Sequence, residues 1–134
     1  VMYGYSSVSI SSGATDGGAG VSTNNNTSTH VVVGQICSIG VTYNGSPPAS
    51  TDLVIATAGN NGPALTILTL TNANSDGWFH PRHVIDDNTG ADITYDGTRV
   101  VYDKVCIADN IKITVSQAND DDSVDVVVVY YAGA

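Results

Sequence analysis

Residues 65–83 read LTILTLTNANSDGWFHPRH. The first seven, Leu65 to Thr71, are rich in β-branched residues and read as a strand. Asn72 to Gly77 is a loop that ends on an Asp-Gly turn signal. Trp78 and Phe79 follow, the only Trp and the only Phe in the chain, and then His80-Pro81-Arg82-His83. A strand, a turn and an aromatic anchor in succession point to an antiparallel β protein.

The flanking sequence has the same character. Upstream, Thr51 to Ala58 is a strand, Gly59 to Pro63 a loop and Ala64 to Thr71 the next strand, so the two form an antiparallel hairpin. Further upstream, residues 31–43, VVVGQICSIGVTY, alternate with Cys37, Ile39, Val41 and Tyr43 on one face. Asn44-Gly45 and the two prolines Pro47 and Pro48 end that strand. Downstream, Ala91–Tyr95 and Arg99–Ile107 are short strands, and Ala108-Asp109-Asn110 is read as a turn. Ile111–Ser116 and Val124–Tyr131 alternate cleanly. No segment has the period of an amphipathic helix. Seven to nine short strands separated by turn signals predict an all-β, antiparallel β-sandwich, jelly-roll-like, with a barrel as the competing architecture.

Composition supports this. The 134 residues contain 13 Asp, no Glu, two Lys and two Arg. Good helix formers are scarce, and residues that favour turns and strands dominate. A chain of this length buries roughly 68–70% of its unfolded surface, so it needs no disulfide or metal to fold. The net charge of −9 argues against nucleic acid, whose phosphates require a cationic patch, and against an anionic membrane surface. No apolar run approaches the ~18 residues of a membrane-spanning helix. Val1-Met2-Tyr3 has neither the basic start nor the apolar core of a secretory leader. Cys37 and Cys106 fall within apolar strand-like runs and read as free core thiols, with a mutual disulfide as the alternative.

Residues 1–30 stand apart. After Ile10 they are almost entirely Ser, Gly, Thr, Asn and Ala, too polar to offset their ordering entropy by burial. They read as a flexible, extended N-terminal arm preceding a β-sandwich domain at 31–134. The arm's tip is apolar, and Tyr3, Tyr5, Val8 and Ile10 are its candidate contacts with a partner or a neighbouring subunit.

No residue pattern commits the chain to catalysis. His80 and His83 are separated by Pro81 and point to opposite faces of a strand, so they make a poor metal pair. Asp120-Asp121-Asp122 lacks the Gly and the terminal Glu of a helical calcium loop and reads as a solvated hairpin tip. There is no G-x-S-x-G elbow, phosphate loop or dinucleotide fingerprint. Aspartates lie in turns throughout, so no glycosidase pair stands out. No catalytic residue, metal or cofactor is expected. Trp78 and Phe79, with Pro81 and Arg82, read as a structural anchor, Trp78 filling the space between the sheets. The alternative is an exposed aromatic that binds sugar or protein.

Three segments carry a family resemblance: residues 43–52, YNGSPPASTD; residues 74–82, NSDGWFHPR; and residues 111–119, IKITVSQAN. Together they resemble the small structural proteins encoded beside the capsid gene in many tailed bacteriophages. The resemblance covers roughly residues 31–131 and leaves the arm outside. It implies a virion component that decorates or cements the capsid exterior. It further implies binding to the major capsid protein across capsomer boundaries as a symmetric homo-oligomer, trimer or dimer, without catalysis. Such a protein is made in the host cytoplasm and ends on the outside of the capsid. A carbohydrate-binding β-sandwich module in a virion fibre or tail is the competing reading.

Overall fold

The structure is a computed structural model, and it describes residues 4–132. Every regular element among them is a β-strand: β1 (Tyr5–Ser11), β2 (Ser22–Asn44), β3 (Asp52–Thr57), β4 (Thr66–Leu70), β5 (Gly77–Phe79), β6 (Arg82–Val84), β7 (Tyr102–Lys104), β8 (Cys106–Ala118) and β9 (Ser123–Tyr131). Seven of them form one antiparallel sheet in the order β1-β9-β2-β8-β3-β4, with β5 added to β2, and β6 and β7 pair separately. The fold is all-β, antiparallel and sandwich-like.

The 23-residue strand β2 makes the sandwich. Its first half pairs with β8 from Ser22↔Ala118 to Gln35↔Cys106. Its second half pairs with β9 from Gln35↔Tyr131 to Asn44↔Ser123. Ala118 and Ser123 flank one short turn, so both ends of β2 must return to the same end of the molecule. The strand therefore doubles back at the far end, near Gly34 and Gln35, and belongs to both layers. Strands that switch sheets at a corner do so through bends and bulges, and here the register shifts between Thr27 and Val31 and again between Ile36 and Ser38. One layer is the first half of β2 with β8, β3 and β4. The other is β5, the second half of β2, β9 and β1.

The inward faces meet in one apolar cluster. Ile39, Val41, Val124, Val126 and Val128 come from one layer, and Leu53, Ile55, Ile111, Ile113 and Val115 from the other. The largest fully buried side chains include Ile36, Ile39, Leu53, Ile55, Ile111 and Ile113, each worth about 1.5–3 kcal/mol of transfer free energy.

The stretch expected to be a flexible arm is instead part of the sandwich. Tyr5–Ser11 pairs with β9 along its whole length, and residues 22–30 are the first part of β2. Main-chain pairing needs no apolar side chain, and the polar residues complete it. The Asn24 side-chain amide donates to the Ser12 and Ala14 carbonyls (2.7 and 3.0 Å), and that of Asn26 donates to the Ser11 carbonyl (2.7 Å). Between the two strands, Thr15 docks on the β8–β9 turn, its hydroxyl donating to the Asn119 and Asp122 carbonyls (2.6 and 3.0 Å).

Three further expectations change. The turn expected at 108–110 does not exist, because β8 runs unbroken from Cys106 to Ala118. The Asp120–Asp122 tip is not wholly solvated. Asp122 is buried, and its carboxylate accepts from the Ser46 amide and the Asn119 amide, both at 2.8 Å. Both cysteines are free, but neither is in the core: Cys106 is exposed and Cys37 half-buried.

Residues 82–104 project from the sandwich as a small lobe. β6 and β7 form its base. Above them three main chains close a ring: the Ile85 amide donates to the Val101 carbonyl, Val101 to Ile93 and Ile93 to Ile85. No residue of the lobe is buried, and Tyr95 and Tyr102 are strongly exposed.

Candidate functional site

Strand alternation sends one face of the β5-β2-β9-β1 layer into the core and the other outward. The outward residues are fixed by register. Trp78 lies opposite Gly40, Gly40 opposite Val127 and Val127 opposite Ser9. On the neighbouring rungs lie Ser38, Val129 and Ser7, and then Thr42, Asp125 and Ser11. At the far end of the layer Gln35 pairs with Tyr131 and Tyr131 with Tyr5. The Tyr5 and Tyr131 rings meet edge to face with centroids 5.3 Å apart. The result is a face of Trp, Val and Tyr side chains separated by Gly and Ser, with carboxylates only at one end.

Trp78 dominates that face. It is 62% exposed, so it is a surface platform and not the filler expected between the sheets. Its neighbour Phe79 takes the inward position and packs against the core. The indole lies across Gly40: a Cβ at Gly40 would come within 2.9 Å of the ring carbons Cη2 and Cζ3. Beside it runs a shallow groove of about 280 Å³ lined by Gly40, Thr42, Asp76, Trp78, Asp125 and Val127. Asp76 Oδ1 accepts from the Tyr43 amide (2.8 Å), and Asp125 Oδ2 accepts from the Asn44 side-chain amide (2.9 Å). The second oxygen of each carboxylate has no hydrogen-bond partner among the described residues. No Lys or Arg lines the groove.

The other candidate residues are scattered. Tyr3 lies outside the described residues. Tyr5 is exposed on the outer face, whereas Ile10 is buried and Val8 packs, partly buried, against the same core, so these two face the chain's own interior. Pro81 is half-buried. Arg82 is exposed, and its guanidinium donates to the Pro81 and Cys37 carbonyls (2.9 and 3.4 Å). His80 Nδ1 is 3.0 Å from the Ser38 hydroxyl, while His83 faces Asp103 across β6 and β7. No cluster of three or more His, Cys or Asp side chains that could hold a metal occurs among the described residues.

Asp109, like Asp122, is a buried carboxylate that the sequence reading places in a turn. It points inward from β8, and its carboxylate accepts from the amides of Gly59 (2.9 Å), Asn60 (3.2 Å) and Gly62 (3.3 Å) in the β3–β4 loop, and from Asn110 (2.8 Å). Burial alone would raise its carboxyl, but the converging amides outweigh that and hold it below the ordinary carboxylate value. A signal was present. Ile107, Asp109, Ile111, Ile113 and Val115 share one phase, so the inward register runs straight through Asp109. An apolar groove of about 310 Å³ lies beside it, lined by Thr57, Pro63, Leu65 and Cys106 among others.

In the lobe, the Thr89 hydroxyl, then the Thr89 and Ala91 amides, lower the Asp87 carboxyl; the Arg99 and Thr98 amides and the Arg99 side chain lower that of Asp96.

No family model matches the chain, and no curated protein sequence does. Among solved structures, the crystal structure of FLHE aligns over 96% of this chain and 98% of that one, with a TM-score of 0.48 and 14% identity.

Proposed function

We propose that this chain is a non-catalytic virion structural protein that docks on the outer surface of a bacteriophage capsid, with the major capsid protein as its partner. The observation that carries the reading is the outer face of the β5-β2-β9-β1 layer. Trp78, Val127, Val129, Tyr131 and Tyr5 lie across it in register, with only Gly, Ser and Thr between them. Aromatic side chains set among small residues suit close protein–protein contact. The phage resemblance of residues 43–52, 74–82 and 111–119 supplies the identity of the partner. The projecting lobe supports the same reading, since 23 residues without one buried side chain gain much from being covered by a neighbour. A homo-oligomer, trimer or dimer, belongs to this proposal, because repeated contacts across capsomer boundaries require symmetric seating.

The test is co-sedimentation of the purified chain with undecorated capsids assembled from the major capsid protein of the same genome. Saturable binding that is lost on Trp78→Ala plus Val129→Asp supports the proposal. Absence of binding at micromolar concentrations of both components overturns it. Light scattering of the free chain reads the oligomer number.

A second reading has its own observation. An exposed Trp78 beside Asp76 and Asp125 is also how a protein presents a stacking surface and hydroxyl acceptors to a sugar ring. Calorimetric titration with neutral oligosaccharides decides it.

A further inference from the structure

We infer that the groove beside Trp78 receives a basic side chain, an arginine in preference to a lysine, presented by the partner protein. The inference rests on the reading of this outer face as a protein-docking surface and names the chemistry the partner brings to it.

Three observations carry it. The first is the platform. Gly40 has no side chain, so the indole of Trp78 lies against the backbone of β2 and stays accessible. An indole face attracts cations, and a planar guanidinium can also stack on it. The second is the charge. The ionisable groups lining the groove are Asp76 and Asp125 alone. Each has one oxygen engaged, with the Tyr43 amide or the Asn44 side chain, and the other free of hydrogen bonds among the described residues. The third is the lack of an internal cation. The one ion pair among the described residues is Arg99–Asp96 in the lobe, and Arg82 donates to main-chain carbonyls. Two partly unsatisfied carboxylates beside an aromatic plate, on a chain of net charge −9, complement a basic surface. The same polarity excludes an anionic ligand.

Trp78 is the only tryptophan, so the groove carries its own reporter. The full chain is titrated, with tryptophan fluorescence as readout, with a blocked peptide carrying two arginines. A peptide of the same length with citrulline in their place is the neutral control, and neutral oligosaccharides are run in parallel. The expected result is a saturable change with the arginine peptide alone, weakened several-fold between 50 and 500 mM salt. Asp76→Asn and Asp125→Asn, whose amide oxygens can keep the Tyr43 and Asn44 hydrogen bonds, each weaken binding about five-fold. No response to millimolar arginine peptide overturns the inference, as does an equal response to the citrulline peptide. A response to oligosaccharide alone also overturns it and assigns the groove to sugar. Capsid co-sedimentation of the unsubstituted chain separates the two failures. Intact docking with no arginine response removes this inference and leaves the docking reading standing, whereas loss of both removes both.

Discussion

Gly34 sits against the carbonyl oxygen of Tyr131 at the corner where β2 passes from one layer to the other. A Cβ at Gly34 would run into that oxygen, and the residue's φ of +146° is one that L side chains rarely adopt. The backbone of β9 cannot withdraw without losing its pairing to β1 and β2. Gly34→Ala is therefore expected to cost about 3 kcal/mol or more, combining backbone strain with an unrelieved clash. Urea denaturation of the variant, or its failure to accumulate as folded protein, reads this out. A loss under about 1 kcal/mol would mean that the corner is formed elsewhere in β2.

Trp78 and Phe79 yield a prediction that separates a surface platform from a core anchor. Adjacent residues in a strand face opposite ways, so only one of the two can enter the core, and Phe79 does. Trp78→Ala is expected to cost about 1 kcal/mol or less, whereas Phe79→Ala costs about 3 kcal/mol. Thermal denaturation followed by circular dichroism measures both, and a reversed order would put the tryptophan back inside.

That pair also shows what was legible in the sequence. The strand type, the hairpin of β3 and β4, and the alternation of β9 follow from side-chain period, because in each the buried face is marked by Ile, Leu or Val. The first half of β2 was not legible. Residues 22–30 have no apolar phase, and what holds them is main-chain pairing reinforced by the side-chain amides of Asn24 and Asn26. Local pattern puts Trp78 inside, because large aromatics usually go there. Its outward phase depends on Gly40 across the strand pair, a partner that local pattern does not reveal. Asp-Asn is a turn signal and points Asp109 to a turn, although its phase matches the isoleucines on either side.

Tyr43 carries a buried hydroxyl with no hydrogen-bond partner among the described residues. Leaving such a group unpaired is costly, so Tyr43→Phe is expected to stabilise the fold by about 1 kcal/mol at neutral pH. Burial, and then the nearby Asp76 carboxylate, raise the phenol above its ordinary value of 10.0. A raised folded-state value makes a stabilising contribution that is complete below the unfolded value and is lost as pH climbs through the folded value. The advantage of the Phe variant should therefore widen above pH 10. Urea midpoints at pH 7 and pH 10.5 test both parts, and a destabilised variant would show that the hydroxyl is paired in solution.

The lobe should be the least protected part of the free protein. Residues 82–104 have no buried side chain, and beyond β6 and β7 their main-chain pairing consists of isolated bridges and the ring of Ile85, Ile93 and Val101. Regions with few buried apolar contacts open at low free energy. Hydrogen exchange on the free chain is expected to proceed at least ~100-fold faster at Ile93 and Val101 than at Ile113 and Val126 in the core. If the lobe is an interface, its exchange slows on binding to capsids. Uniformly slow exchange in the free chain would show the lobe to be self-sufficient.

Asp109 ties the acid stability of the fold to one loop. Its folded-state value lies below the ordinary 3.8, because the amides of the β3–β4 loop and of Asn110 outweigh the effect of burial. A lowered carboxyl contributes stability that is present above the unfolded value and is lost as pH falls through the folded one. The protein should therefore lose melting temperature steadily as pH drops from about 5 towards 2. Asp109→Asn removes the charge that the amides surround, and the variant should melt roughly 5–10 °C lower at neutral pH, with a flatter profile below pH 5. The two curves should converge in acid, where the wild-type carboxylate is protonated too. Parallel curves would mean that other aspartates govern the acid transition and that Asp109 is held by geometry alone.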